Sequence, residues 1–115
     1  MDLRFDEYQC AAERTAIYPH ARERHIEGLI YTVLGLVGEA GELANRFKKV
    51  LRDDEGILAF DTKKLLLKEL GDCLWYCAMI ASELDLNLSE VAQMNLDKLA
   101  VRVVKGTLGG SGDQR

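Results

Sequence analysis

After Pro19 the chain has no further proline, and over long stretches its apolar residues return every three or four positions, the repeat of one face of an α-helix. That period leaves no room for a substantial sheet, and an aromatic content of only 7% suits a helical protein better than a β sandwich. The expected class is therefore all-α, a four- to five-helix, bundle-like subunit. At 115 residues the chain reads as one domain, large enough for a core yet small enough that association would help it.

The pattern divides as follows. A first helix is expected from Asp2 to Ile17, with Phe5, Tyr8, Ala12 and Ala16 at helical spacing. Tyr18-Pro19 ends it, and the charged stretch His20 to His25 reads as a solvated connection. A second helix is expected from about Leu29 to Arg52, its apolar face made by Leu34, Val37, Ala40, Ala44, Phe47 and Leu51. On this helix Gly35, Glu39, Glu42, Arg46 and Lys49 line up at steps of four, three, four and three. Gly35, Gly38 and Gly41 each cost roughly 1 kcal/mol relative to alanine in a helix interior, an expense that points to close approach of another helix or a ligand.

Asp53 to Gly56 reads as a turn, and Asp61 as the N-cap of a third helix running to about Leu84. Leu66, Leu67, Leu70, Cys73, Leu74, Cys77 and Ile80 supply its expected buried stripe, with Glu69 and Asp72 at the edge. Ser89 is the expected cap of a fourth helix that continues to about Lys105 and places Asn95, Lys98 and Arg102 on one face. The division is then a domain over 1–105 and a flexible, glycine-rich tail over 106–115.

Charge narrows the partners. A net charge of −4 argues against a phosphate-backbone footprint, so nucleic acid is not an expected partner. The charged opening and the lack of any apolar run of about 20 residues argue against a membrane and for a cytoplasmic address. Cys10, Cys73 and Cys77 are odd in number and read as reduced core residues. With His20 and His25 in a loop and no C-x-x-C, the spacing of a structural zinc site is missing.

The chemistry lies in two acidic pairs, Glu39/Glu42 and Glu69/Asp72, each three residues apart. About 300° of helical rotation brings the second carboxylate of a pair to within roughly 60° of the first. Packed antiparallel, the second and third helices can turn four carboxylates toward one another, and hard Mg²⁺, or Mn²⁺ in its place, is the natural counter-charge. Such a site would grip a polyanion through the metal, with Asn95, Lys98 and Arg102 donating to its oxygens. The plainer reading is that these are solvated acids on amphipathic helices.

Gly35-Leu36-Val37-Gly38-Glu39-Ala40-Gly41-Glu42-Leu43, followed by Lys68-Glu69-Leu70-Gly71-Asp72-Cys73-Leu74-Trp75-Tyr76, resembles the E-x-x-E and E-x-x-D signature of MazG-like nucleotide pyrophosphohydrolases, part of the all-α NTP pyrophosphatase superfamily. The resemblance covers roughly residues 28–105. It implies hydrolysis of a nucleoside triphosphate to monophosphate and pyrophosphate, with Mg²⁺ held by Glu39, Glu42, Glu69 and Asp72. It also implies Asn95, Lys98 and, more weakly, Arg102 as substrate contacts, and subunits joined as a homodimer or homotetramer. Glu42 and Glu39 are the expected catalytic carboxylates, Glu42 in a bridging or base role. Related readings are a phosphoribosyl-ATP pyrophosphohydrolase, a dUTP- or dCTP-specific enzyme, and a non-catalytic nucleotide-binding oligomer. A ferritin-like di-iron protein would need E-x-x-H motifs that the chain does not have.

Overall fold

A computed structural model describes residues 2–115. It contains four helices, α1 (Phe5–Glu13), α2 (Ile26–Asp53), α3 (Phe60–Glu83) and α4 (Leu88–Lys105), and no strand among the described residues. The long helices α2 and α3 form the dominant contact, while α1 packs across α3 and α4. Partners across the α2–α3 seam run in opposite order, with Gly28 beside Glu83, Gly35 beside Tyr76 and Arg46 bonded to Glu69, so the pair is an antiparallel hairpin.

Gly35 shows why the helices can meet so closely. A Cβ there would stand 2.1 Å from the Tyr76 ring, so only hydrogen leaves room for the aromatic ring. The expectation of close approach holds at this glycine alone. Gly38 and Gly41 face open space.

The core sits at one end of the hairpin. Ala12, Tyr18, Ala78, Met79, Ala81 and Leu88 are buried there, with Tyr8, Ala16, Ala21 and Trp75 packed against them. The buried Gln9 amide joins three elements: its Nε2 donates to Ser82 Oγ and to the Leu86 carbonyl, both at 3.0 Å, and its Oε1 accepts from Leu88 N at 2.7 Å. Trp75 Nε1 donates to Thr15 Oγ1 at 2.9 Å, which places this side chain in packing with α1. The expected buried stripe of α3 is different in the single chain. Leu66 is buried, but Leu67 and Leu70 stand 60% and 54% exposed, and the α2 face at Leu34 and Val37 is equally open. Cys10 and Cys77 are exposed thiols and Cys73 is partly buried, so the core role expected for them is not filled within one chain.

The helix ends also shift. α1 stops at Glu13 rather than Ile17, because the chain turns at Arg14 to carry Tyr18 toward α3. Ala59, not Asp61, precedes α3, and Asp61 lies in the first turn, where its charge still favours the helix dipole. Asn87 rather than Ser89 is the N-cap of α4, with its N–H donating to Glu90 Oε2 at 2.8 Å. The Ser89 hydroxyl instead donates to Asp6 Oδ2 at 2.8 Å, tying α4 to α1.

The charged connection before α2 is not simply solvated. His20, Arg22 and Arg24 all have positive φ, an uncommon conformation for side chains other than glycine. Glu83, only 4% exposed, holds them in place. Its Oε1 accepts from Tyr18 Oη and Arg22 N, both at 2.6 Å, and its Oε2 accepts from Arg24 N at 3.1 Å. Burial first, and then the Glu83 carboxylate, push the Tyr18 phenol far above its ordinary range, so it stays a donor. No helix is long and apolar enough to cross a membrane among the described residues.

Candidate active site

Antiparallel pairing sets the carboxylates of α2 against those of α3. Glu39, Glu69 and Asp72 each present an oxygen, and these atoms lie within 4.8 Å of one another. Oxygens around an octahedral Mg²⁺ at about 2.1 Å are separated by roughly 3.0–4.2 Å, so the trio fits a small, hard ion with little adjustment. Its donors are all oxygens, as Mg²⁺ prefers. Glu42 stands outside this tight group, exposed one turn further along α2, yet close enough that its charge acts on Glu39.

Repulsion within the cluster is visible in Glu39. Burial is the largest influence raising its pKa, followed by Asp72, Glu69 and Glu42. One cation of the chain partly offsets this: Arg46 Nε bonds Glu69 Oε1 at 2.7 Å, with Glu69 13% exposed. A single guanidinium cannot balance three converging carboxylates, so negative charge is left over for a divalent ion. Lys49 lies further along, where it acts on Asp53 rather than on the trio.

Two neighbours of the cluster were not signalled by the acidic motifs. Tyr8 on α1 has its phenol raised by burial first and by Asp72 second, which places α1 along one flank of the site. Cys73, beside the cluster on α3, is raised by burial first and then by Glu39, Asp72 and Glu69, so it remains a neutral thiol. Tyr76 is occupied by the Gly35 groove and Trp75 by α1, positions of packing rather than base stacking within the chain.

The α4 residues are placed elsewhere. Among the described residues α4 contacts α1 and α3 but not α2. Lys98 and the buried Arg102 both bond Asp113 of the C-terminal segment, and Asn95 is exposed. A second group, His20, His25 and Glu27, also brings ligand atoms within 4.8 Å. Its atoms are engaged locally: His25 Nδ1 accepts from Glu27 N at 3.1 Å as the cap of α2, and His20 pairs with Glu23 and Glu27.

Residues 29–105 match the family described as "MazG nucleotide pyrophosphohydrolase domain". A relative named "Gene 37 protein", from Mycobacterium phage L5, is 51% identical over 114 residues, covering 98% of this chain and 100% of the relative. No solved structure matches the chain.

Proposed function

Because the chain belongs to the MazG nucleotide pyrophosphohydrolase domain family, we propose that it is a Mg²⁺-dependent enzyme that hydrolyses nucleoside or deoxynucleoside triphosphates to the monophosphate and pyrophosphate, in cytoplasmic nucleotide-pool housekeeping. The observation that carries this reading is the convergence of Glu39, Glu69 and Asp72 from two helices within 4.8 Å. Bringing like charges together costs energy, and a divalent cation seated among the three oxygens would offset that cost.

In this reading Glu39, Glu69 and Asp72 hold the ion, and Glu42 completes the set or accepts the proton of the attacking water. When bound, Mg²⁺ neutralises charge on the phosphate chain and makes water a stronger acid. Arg46 keeps Glu69 aimed through its bond to Oε1, leaving Oε2 and the other carboxylates to the metal. Asn95, Lys98 and Arg102, which stand apart from the trio within one chain, would donate to non-bridging phosphate oxygens where a second copy brings its α4 to the site. One water is consumed, its oxygen joins phosphorus, and the bridging P–O bond between the α and β phosphates breaks.

The site is completed by a second copy of the chain, in a homodimer or homotetramer. Support comes from the exposed apolar faces at Leu34 and Val37 on α2 and at Leu67 and Leu70 on α3, together with the open space over Gly38 and Gly41. Exposed apolar faces of this kind mark contacts with another protein surface.

The decisive experiment is pyrophosphate release from the purified protein with Mg²⁺, across the common NTPs and dNTPs and phosphoribosyl-ATP. Turnover of at least one triphosphate is expected. Glu42→Gln and Asp72→Asn should abolish it while the helical circular-dichroism signal stays. No release from any substrate, or variants that lose fold instead of activity, would overturn the reading.

A further inference from the structure

The C-terminal segment, expected as a flexible tail, folds back on α4. The helix ends at Gly106 with φ 69°, and Thr107 N returns to the Arg102 carbonyl at 2.9 Å. Gly110 and Gly112 then take φ values of 90° and 82°, which only glycine adopts readily, so the hook depends on them. Arg115 closes it. Its Nε donates to the Thr107 carbonyl at 3.1 Å, its Nη2 to Leu108 at 3.4 Å, and its Nη1 to Gly112. This guanidinium is spent on backbone carbonyls and is not free for a ligand.

The closed hook sets Asp113 on the two cations of α4. One oxygen, Oδ1, accepts from both Lys98 Nζ and Arg102 Nη2 at 3.0 Å. The fit is incomplete on the cationic side. Arg102 is 6% exposed, and its Nε is buried without a partner. A buried guanidinium edge left unmatched is costly, and a planar fork of donors is suited to an anion that offers several oxygens at once. Asp113 offers one, from a side chain that is 75% exposed. Lys98 first and Arg102 second hold its carboxyl below the ordinary range, so it stays anionic.

We propose that Asp113 is a built-in placeholder for a phosphate group: the C-terminal hook keeps Lys98 and Arg102 paired until the phosphate chain of the substrate arrives and displaces it. This rests on the role given to Lys98 and Arg102 above and assigns a regulatory part to residues 106–115. Asp113 is itself exposed and its pair with Lys98 is screened by solvent, so it can be displaced, but its presence lowers apparent affinity by the fraction of time the seat is occupied. The device favours ligands with enough phosphate oxygens to fill the Arg102 fork over those with one carboxylate.

The test is calorimetric titration of the full-length protein with inorganic tripolyphosphate in the absence of Mg²⁺. Asp113→Asn, which empties the seat, and Arg115→Ala, which opens the hook from its far end, should each bind about two- to fivefold more tightly than the parent chain. Lys98→Gln should remove that gain when combined with Asp113→Asn. Unchanged or weaker binding in both Asp113→Asn and Arg115→Ala would overturn the proposal. Pyrophosphate release measured on the same preparations separates the two claims. Turnover with no tightening refutes the placeholder alone, and tightening without turnover refutes the hydrolase reading alone.

Discussion

Replacing Glu83 by glutamine tests the account of the segment before α2. The carboxylate gives two acceptor oxygens to three donors, Tyr18 Oη and Arg22 N on Oε1 and Arg24 N on Oε2. Glutamine has one acceptor oxygen. With that oxygen kept at the shared position, its NH₂ group faces the Arg24 N–H, and one bond to a charged acceptor, worth about 1.5–3 kcal/mol, is lost. The other two bonds lose their charge assistance, which roughly halves them. Part of this is returned, since a left-handed residue such as His20, Arg22 or Arg24 stores on the order of 1 kcal/mol and can relax. The net expectation is a destabilisation of about 2–5 kcal/mol, which at a urea slope of about 2 kcal/mol per M lowers the midpoint by about 1–2.5 M. Urea unfolding followed by far-ultraviolet circular dichroism, at fixed protein concentration because an oligomer is expected, measures it. Hydrogen exchange at the Arg22 and Arg24 amides localises it. An unshifted midpoint with both amides still protected would refute the argument that Glu83 holds this segment.

Gly35→Ala should destabilise by about 1–3 kcal/mol, because the new methyl meets the Tyr76 ring and overpacks the α2–α3 seam; Gly38→Ala, facing open space, should not do so in the single chain, and thermal unfolding compares them. Mg²⁺ should raise the melting temperature, by about 2.7 kcal/mol of stabilisation at a hundredfold excess over its dissociation constant, and Asp72→Asn should abolish the rise. Without metal, Glu39 binds its proton more tightly in the folded than in the unfolded chain, so its contribution to stability is complete below the ordinary carboxylate pKa and is lost as pH rises through the raised value. Glu39→Gln should flatten that part of the pH profile, and Mg²⁺ should mask it. Leu70→Glu, on the exposed α3 face, should shift the sedimentation coefficient to that of a single chain.

The long helices were legible because periodicity is a local property. Both ends of α2 and α3, and the extent of α4, lie within a turn of where apolar spacing places them. The two i, i+3 pairs were expected to bring four carboxylates together; three of them, Glu39, Glu69 and Asp72, meet across the antiparallel helices, and Glu42 stands outside the group. What failed needed partners distant in sequence. Glu83 looks like one more rim acid until Tyr18 and the Arg22 and Arg24 amides are brought to it. Ser89 has the chemistry of a cap but is claimed by Asp6, leaving Asn87 to serve with Glu90. The α3 stripe was read as buried because a pattern reports that a face is apolar without saying whether its cover belongs to the same chain.

Trp75 is the sole tryptophan, and its indole bonds Thr15 and packs with the α1 core, one turn beyond Asp72 on the same helix. Its fluorescence emission is therefore an intrinsic gauge of whether α1 is seated. A shift of that emission on adding Mg²⁺ would report a change in the surroundings of Trp75 between the acidic cluster and the amino-terminal helix, with no dye or label introduced.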